Sequence, residues 1–424
     1  MSSLIKAIRG MNDLLPEQSG RWQYVEATLN RIVHGHGYQE IRFPVLEQTA
    51  LFKRSIGDVT DIVEKEMYSF EDRNGDALSL RPEGTACCVR AALEHGLLYN
   101  QTPRLWYMGP FYRHERPQKG RYRQFHQLGI EAFGISSPDI DAEVIALSAA
   151  IFQAFNLSHA VTLQINSIGT AETRNQYRNA LVAYFTPYKA QLDEDCLRRL
   201  DTNPMRILDS KNPALKPLIA QAPKLLDFLD ENSKQHQLAL LSYLDALGIH
   251  YQINPYIVRG LDYYNDTVFE WVADDGLGAQ STVCAGGRYN GLVSQLGGDS
   301  TPAIGFALGI ERLILLLETQ AAFQAIIPSI DAYLILAGEQ AQKNGLVLAD
   351  KLRASLPNLR LITHCGSSSF KSQFKKADKS NARYALILGE DEILQGKITL
   401  KFLREEQPQQ SLSFEDLLTI LGDH

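Results

Sequence analysis

The sequence predicts an α+β fold, in which a mainly antiparallel sheet flanked by helices is interrupted by a helical insertion and followed by a small α/β domain. Three observations lead to this prediction. The Asn74-Gly75 dipeptide lies between two short strand-like runs, which is the strongest short-range signal for a β-hairpin. Leucine and alanine dominate residues 170–248, where prolines separate short helical stretches. Four apolar runs after Pro328 alternate with helical stretches, as in an α/β domain.

The N-terminal part of the chain predicts the first helix and strand of the larger domain. Residues 20–33 have the periodicity of an amphipathic helix, which glycines then interrupt. A strand is expected through residues 41–43, and Pro44 ends it because proline cannot donate to a sheet. A further helix is predicted over residues 85–95, after the first hairpin.

A second hairpin is predicted around a polar loop. Its two long strands are expected over residues 104–114 and 125–134. After the helical insertion, strand-like sequence resumes at residues 250–273 and again at 281–291. Residues 302–320 are predicted to form a helix that closes the first domain.

Length and composition indicate a globular protein of more than one domain. A chain of 424 residues with 45% hydrophobic residues exceeds the usual size of one core, and we expect domains over residues 1–325 and 329–424. No run of about 18 apolar residues occurs and the start lacks the pattern of a signal peptide, so a cytoplasmic location without membrane contact is expected. The five cysteines contain no CxxC pair, which favours reduced thiols over a zinc site.

The stretch FYRHERPQKGRYRQFHQLGIEAFG, residues 111–134, concentrates positive charge in a chain whose formal net charge is −7. Because side chains alternate along a strand, two sets are expected to share one face of the second hairpin, and Gly129 is expected to leave room there for a ligand. These sets are Phe111, Arg113 and Glu115, and Phe125, Gln127, Glu131 and Phe133. The alternative is a half-solvated sheet with salt bridges, although polar residues among apolar ones are costly to bury without partners.

Four arginines could together bind a polyphosphate, since a guanidinium group forms a fixed fork of donors and stays charged. The candidates are Arg113, Arg121, Arg259 and Arg312. The chain contains no GxxxxGK[ST] motif, so a bound nucleotide would be held by side chains on a sheet. The Gly286-Gly287 pair is predicted to form a tight turn.

Several motifs together resemble one family. GYQEIRFPVLE, the stretch 111–134 and AIGFALGIERL are similar to motifs 1, 2 and 3 of class II aminoacyl-tRNA synthetases. RGMNDLLP, LRPEGT, VRGLDYYNDTVFE and CAGGRYNGL resemble segments specific to histidyl-tRNA synthetases. The likeness extends into the last domain with FKKADKSNARYALILGEDE, whereas GSSSFKSQ is its loosest match. The resemblance implies a class II catalytic domain with a helical insertion and a C-terminal α/β anticodon-binding domain.

The resemblance implies how ATP would be bound. Arg113 would hold the α-phosphate, and Arg121 would reach the far phosphates. Adenine would lie between Phe125 and Arg312, a stacking arrangement that suits both side chains. Glu115 would read the adenine amino group.

The resemblance also implies a histidine pocket and a two-step reaction. Histidine would be activated by ATP with Mg²⁺ to histidyl-adenylate and then transferred to the 3′ end of the tRNA specific for histidine. With Arg113, Arg259 would be catalytic by acting at the α-phosphate, although a structural ion pair with Asp262 or Glu270 is its alternative reading. The pocket would be lined by Glu83, Thr85, Gln127, Glu131, Tyr263 and Tyr264.

Two basic surfaces are candidates for tRNA contacts. Arg116, Gln118 and Lys119 would approach the acceptor end of the tRNA, unless this loop is only a solvated hairpin tip. If residues 371–379 are helical, three lysines share one face that would meet the anticodon arm. These are Lys371, Lys375 and Lys379.

Three functions are consistent with such a chain. The first is a homodimeric histidyl-tRNA synthetase, since motif 1 builds the subunit interface in this class. The second is the related regulatory subunit of an ATP phosphoribosyltransferase, which usually lacks the C-terminal domain and the phosphate-binding arginines. The third is a class II synthetase for another amino acid, which the RGLDYYNDTVFE segment disfavours.

Overall fold

The structure, a computed structural model, describes residues 4–57, 60–208, 210, 212–257, 263–274, 277, 281–320 and 330–422. The chain divides into two compact units, Met1–Ile326 and Ile327–His424. In the described part of the chain, no helix combines the length and apolar character that a membrane crossing requires.

The first unit contains ten α-helices and eleven strands within its described residues. The helices are α1 (Pro16–Gly35), α2 (Thr49–Ile56), α3 (Thr85–Glu94), α4 (Pro138–Ala154), α5 (Ala171–Phe185), α6 (Glu194–Thr202), α7 (Lys216–Ala220), α8 (Glu231–Ala246), α9 (Leu292–Gln295) and α10 (Ile310–Thr319). The strands are β1 (Gln39–Glu40), β2 (Leu46–Gln48), β3 (Ser69–Glu71), β4 (Ala77–Leu80), β5 (Arg104–Tyr112), β6 (Gln124–Phe133), β7 (Val161–Ser167), β8 (Gln252–Ile253), β9 (Asn265–Ala273), β10 (Thr282–Arg288) and β11 (Ala303–Gly309). One π-helical turn covers Ile62–Glu66.

An eight-stranded sheet forms the centre of this unit, in the order β1-β5-β6-β11-β10-β9-β7-β8. Its six central strands pair antiparallel, whereas the short outer strands β1 and β8 pair parallel with their neighbours. A second sheet, in the order β2-β4-β3, contains the predicted hairpin, in which Gly75 has a φ of 87°. The predicted hairpin of two long strands is the β5–β6 pair.

Helices cover the large sheet and enclose apolar cores. Helices α1, α4 and α10 contribute to one core of aliphatic and aromatic side chains, and α2 and α3 contribute to another. The segment between β7 and β8 contains α5 to α8 and short 3₁₀ turns, and it contributes most of a third apolar cluster, which Val268 of β9 and Ile257 also join.

Three local predictions for this unit are wrong. The strand predicted through residues 41–43 is confined to Gln39–Glu40. Residues 302–320 begin as the central strand β11, and only their second half is the helix α10. The Gly286-Gly287 pair forms no turn, because both residues pair with β9 and β11 inside β10. A Cβ atom at either position would overlap a neighbouring backbone carbonyl. These glycines permit close strand packing.

The second unit is a smaller α/β structure. Its five-stranded sheet has the order β13-β12-β14-β15-β16, in which the first three strands are parallel. The four predicted apolar runs form the strands β12, β13, β14 and β15. Its elements are β12 (Ala332–Leu336), α11 (Glu339–Ser355), β13 (Leu361–Thr363), α12 (Phe370–Lys379), β14 (Tyr384–Leu388), α13 (Glu390–Gln395), β15 (Ile398–Phe402), β16 (Gln410–Leu412) and α14 (Phe414–Gly422).

Candidate active site

A cavity of about 310 Å³ lies over the large sheet, between the loop that joins β5 to β6 and the strands β10 and β11. Each described residue that the sequence assigned to ATP or histidine lines this cavity. These residues are Glu83, Thr85, Arg113, Glu115, Arg121, Phe125, Gln127, Glu131, Tyr263, Tyr264 and Arg312. Arg259, the remaining candidate, lies outside the described residues.

Strand register explains why these distant residues meet. β6 lies between β5 and β11, and its alternating side chains at Phe125, Gln127 and Glu131 point to one face. Gly305 and Gly309 of β11 lie opposite Glu131 and Gln127, so no side chain of β11 covers these positions. The side chains of Glu131 and Gln127 can therefore face the cavity.

Three arginines form the basic half of the cavity. The Nε atom of Arg113 donates to the Pro82 carbonyl at 2.8 Å, and its guanidinium lies 5.4 Å from the centre of the Phe125 ring. Arg121 forms an ion pair with Glu115, which is buried, and lies 3.6 Å from Glu66. Arg312 donates from Nε to the Gly120 carbonyl at 3.2 Å and from Nη1 to the Thr282 carbonyl at 2.5 Å.

The arginines repel one another electrostatically. Burial lowers the pKa of Arg312, and the neighbouring charges of Arg121 and Arg113 lower this pKa further. Burial also lowers the pKa of Arg121, and Arg113 acts in the same direction. An anion bound among these groups would relieve their repulsion and replace the water lost on burial. The basic half is therefore suited to a multiply charged anion.

The acidic half of the cavity begins at the first turn of α3. Glu83 is buried, and its carboxylate accepts the backbone N–H groups of Thr85 at 2.7 Å and Ala86 at 2.9 Å. The positive end of the helix dipole favours a carboxylate at this place. Burial nevertheless raises the pKa of Glu83, because the charged form loses its hydration.

Glu131 is the second buried acid, with 1% of its surface exposed. Its Oε1 atom accepts hydrogen bonds from the Thr85 hydroxyl at 2.8 Å and the Tyr107 hydroxyl at 2.9 Å. Its Oε2 atom accepts the hydroxyl of Tyr289. Burial raises the pKa of Glu131 to about 8, although these three donors oppose the shift. The acid is held in a fixed place and is poised to titrate near neutral pH.

The tip of the β5–β6 hairpin lies away from the cavity. Arg116, Gln118 and Lys119 are exposed there and are absent from the cavity lining, as far as the described residues show. A bridge between Gln118 and Arg121 closes the tip, and Gly120 has a φ of 72°, which favours glycine. The turn thus fixes Arg121 at the base and presents the tip to solvent.

Comparison with known proteins places this geometry in a family. Residues 10–313 match the family model described as histidyl-tRNA synthetase. The chain belongs to the histidyl-tRNA synthetase family. Residues 331–424 match a model described as an anticodon binding domain. The predicted family and fold class are confirmed.

The similarity to known proteins extends along almost the whole chain. The chain is 57% identical over 422 residues to a histidine–tRNA ligase of Hydrogenovibrio crunogenus, covering 99% of this chain and 98% of that protein. The apo structure of the S. aureus histidyl-tRNA synthetase matches with a TM-score of 0.82 and 38% identity over 99% of this chain and 100% of that one. A protein titled ATP phosphoribosyltransferase regulatory subunit/histidyl-tRNA synthetase, from Bacillus halodurans C, matches at 22% identity and a TM-score of 0.66, over 92% of this chain and 99% of that one. The last likeness shows the fold alone.

Sequence reasoning missed three residues that hold side chains and strands of the cavity in place, and two of them, Tyr289 and Glu311, also line it. Tyr107 and Tyr289 hold Glu131, as described above. Glu311 accepts the backbone N–H and the ring nitrogen Nδ1 of His126 at 2.9 Å each, which ties the start of α10 to β6. Tyr289 and Glu311 lie inside quoted motifs, whereas the position of Tyr107 opposite Gly129 becomes visible only with the strand register.

The expectation that Gly129 leaves room for a ligand is wrong. Tyr107 lies directly opposite Gly129 in the β5–β6 pair, and its ring covers the glycine. A Cβ atom at position 129 would overlap the Tyr107 ring. The glycine therefore accommodates part of the protein, the Tyr107 ring.

The raised pKa of Glu131 predicts a pH-dependent stability. The unfolded chain loses the Glu131 proton near the ordinary pKa of 4.5, whereas the folded protein keeps it up to about pH 8. Folded-state stability is therefore lost as the pH rises through this window. The variant Glu131→Gln stays neutral at both pH values. Its melting temperature minus that of the original protein should therefore be larger at about pH 8 than at about pH 5, by roughly 2–5 °C. Calorimetry of the apo proteins measures this difference, and an equal difference at both pH values would contradict the prediction.

Proposed function

We propose that this chain is a histidine–tRNA ligase, which activates histidine with ATP to histidyl-adenylate and transfers the histidine to the 3′ end of its tRNA. One observation carries the proposal: a single cavity joins three mutually repelling arginines to a pocket with two buried acids. A triphosphate suits the first half, and an ammonium and an imidazole suit the second.

ATP would occupy the basic half. Arg113 is held from the Pro82 carbonyl, so its terminal nitrogens can face an α-phosphate, and Arg121 would reach the far phosphates. The Phe125 ring, over which Arg113 now lies, would exchange this contact for adenine, with Arg312 on the other face of the base. Glu115 would read the adenine amino group. Mg²⁺ would accompany ATP and supply further neutralisation of the phosphate charge.

Histidine would occupy the acidic half. Glu83, Thr85 and Gln127 would bind the α-ammonium group, since a buried carboxylate and neutral acceptors satisfy its donors. Glu131 would accept an N–H of the imidazole, and Tyr263 and Tyr264 would close the pocket. Because these polar groups are buried, an amino acid that cannot pair with them would be rejected strongly.

The first step needs no nucleophile from the protein. The carboxylate oxygen of histidine forms a bond to the α-phosphorus, the bond from this phosphorus to the bridging oxygen breaks, and pyrophosphate leaves with its electron pair. Arg113, and Arg259 from outside the described residues, would neutralise the charge that grows on the α-phosphate oxygens. Positioning and charge compensation therefore account for the catalysis. In the second step, a terminal ribose hydroxyl of the tRNA forms a bond to the activated carbonyl carbon and loses its proton, the bond from this carbon to the phosphate oxygen breaks, and AMP leaves with the electron pair.

Two exposed surfaces would bind the tRNA. Arg116, Gln118 and Lys119 are exposed, and their loop continues into Gly120 and Arg121 of the cavity lining, so we propose that they approach the acceptor end. In the second unit, Lys371, Lys375 and Lys379 are exposed on α12, opposite its buried face at Gln373 and Ala377. We propose this lysine face for the anticodon arm. The homodimer and the cytoplasmic location stay predictions.

Exchanging the three lysines of α12 for alanine should weaken tRNA binding. Each lysine that contacts a phosphate releases counterions, so the variant should raise the KM for tRNA roughly tenfold or more and reduce the slope of log K against log salt by about two to three. Aminoacylation at several salt concentrations measures both quantities. Histidine-dependent pyrophosphate exchange, which uses no tRNA, should stay unchanged.

The matched control removes three exposed lysines elsewhere in the same unit: Lys343, Lys351 and Lys397. This control should keep the KM for tRNA and its salt slope. If tRNA binding weakens equally in both triple variants, net charge alone explains the effect, and the assignment of the α12 face is overturned.

Pyrophosphate exchange with each of the 20 amino acids tests the proposed function. Exchange with histidine alone, followed by histidylation of tRNA, is the expected result. Exchange with another amino acid would show that the chain is a class II synthetase for that amino acid. The absence of exchange with any of them would favour the regulatory role named for the Bacillus halodurans C protein.

A further inference from the structure

Three hydroxyl groups surround one buried carboxylate in the part of the chain that the structure describes. Oε1 of Glu131 accepts from Thr85 and Tyr107, and Oε2 accepts from Tyr289. A carboxylate offers about four acceptor positions. One position, on Oε2, is left for a ligand, and Glu131 lines the cavity there.

Glycines from three separate elements make space for this arrangement. The Tyr107 ring lies between Gly84, just before α3, and Gly129 of β6, and a Cβ atom on either glycine would overlap the ring. Gly305 of β11 faces Oε2 of Glu131, where a Cβ atom would overlap the carboxylate. The position of the carboxylate thus depends on packing from several directions.

Tyr107 and Tyr289 differ from the residues proposed above to bind histidine. Both are almost fully buried, with 3% and 1% of their surface exposed. The ring of Tyr289 packs against Tyr263 and Phe133, and its hydroxyl is fixed on Glu131. Tyr289 lines the cavity and Tyr107 does not, but both hydroxyls donate to Glu131, so an effect of the hydroxyls on a ligand would act through this carboxylate.

We propose that Tyr107 and Tyr289 are positioning residues for histidine recognition, which occupy acceptor positions of Glu131 so that one imidazole N–H can pair with it. This inference rests on the proposed function and adds a source of specificity. A carboxylate with both oxygens free pairs well with a guanidinium fork, which needs two parallel acceptors. A carboxylate with one free position suits a ring that presents a single N–H in that direction.

Replacing Tyr289 by Phe tests the role of this hydroxyl. The variant loses one hydrogen bond to a charged group, so the Kd for histidine should rise roughly tenfold, whereas the KM for ATP should change less than about twofold. The apparent pKa in the pH profile of kcat/KM for histidine should rise, since a lost donor disfavours the carboxylate form. The other titratable groups that interact with Glu131 or its donors are Glu83, Cys88, Tyr263 and Tyr38, and the substitution leaves them in place.

A double-mutant cycle separates positioning from a general structural effect. In a Glu131→Gln background, Tyr289→Phe should change the Kd for histidine less than about twofold, because its partner charge is already absent. Titration calorimetry of the full chain, at a pH above about 8 where folded Glu131 is ionised, measures the Kd for histidine of all four proteins. An equal loss in both backgrounds, or an unchanged Kd in the single variant, would overturn the inference.

Two further variants complete the test. Tyr107→Phe should raise the Kd in the same way, which keeps the inference testable if Tyr289→Phe does not fold. Tyr177→Phe is the matched control, since the Tyr177 hydroxyl donates to the Pro223 carbonyl at 2.9 Å inside the helical insertion. This control should leave the Kd and the pH profile unchanged. If the unaltered protein shows no histidine-dependent exchange, the proposed function fails. If it shows exchange and Tyr289→Phe binds histidine with the same Kd, only the inference fails.

Discussion

Arg113→Ala is expected to lower the kcat of histidine-dependent pyrophosphate exchange by about 10²–10³-fold, the usual cost of one preorganised donor at a developing charge. Arg113 is fixed on its inner side by the Pro82 carbonyl and faces the cavity with its other nitrogens. If Arg113 binds the α-phosphate as proposed, removing it would deprive this phosphate of a guanidinium fork. The remaining cations cannot move into its place, because Arg121 and Arg312 are held by Glu115 and by the Gly120 carbonyl.

Arg116→Ala in the same loop is the matched control for this experiment. Arg116 is exposed at the hairpin tip, so its loss should leave pyrophosphate exchange unchanged and reduce only the transfer to tRNA. Arg113→Lys should recover little activity, since an ammonium group offers no bidentate fork. Full exchange activity in Arg113→Ala would remove this residue from the catalytic assignment.

Glu131→Ala should raise the KM for histidine by roughly 10²-fold or more while the KM for ATP stays within about twofold. The substitution leaves the buried hydroxyls of Thr85, Tyr107 and Tyr289 without their common acceptor, and it would leave the imidazole of the proposed substrate without one as well. Pyrophosphate exchange at varied histidine and saturating ATP measures the effect. The loss belongs to histidine alone because Glu131 lies in the acidic half of the cavity.

Glu143→Ala is a suitable control for the Glu131 experiment. Glu143 also accepts a tyrosine hydroxyl, from Tyr38 at 3.1 Å, and pairs with Arg104 at 3.3 Å, but it does not line the described cavity. Its loss should affect the melting temperature without a selective change in the KM for histidine. An unchanged KM for histidine in Glu131→Ala would exclude this carboxylate from the pocket.

Local patterns in the sequence predicted much of the secondary structure because their causes are local. The Asn74-Gly75 turn places Gly75 at a positive φ that glycine adopts easily. The paired strands β3 and β4 come before and after this turn. The alternation in the second hairpin gave the face shared by Phe125, Gln127 and Glu131. The spacing of lysines on α12 likewise depends only on the helical period.

Errors arose where contacts distant in sequence decide the conformation. Residues 303–309 have apolar character that suits a buried helix or a buried strand, and pairing with β6 and β10 makes them a strand. The Gly286-Gly287 pair has the composition of a turn, but its neighbours β9 and β11 approach too closely for larger side chains. Neither neighbour can be read from the local sequence.

The sequence by itself determined the family and the residue types of the site, because arginines, acids and tyrosines in fixed motifs limit the chemistry that the chain can perform. Tertiary structure alone decided how these groups are partnered. The contact of Tyr107 with Gly129 depends on strand register, and the three hydroxyls on Glu131 come from α3, β5 and the residue after β10. Hydrogen-bond partners are selected by distances of a few ångströms between segments far apart in sequence, which only the folded chain fixes.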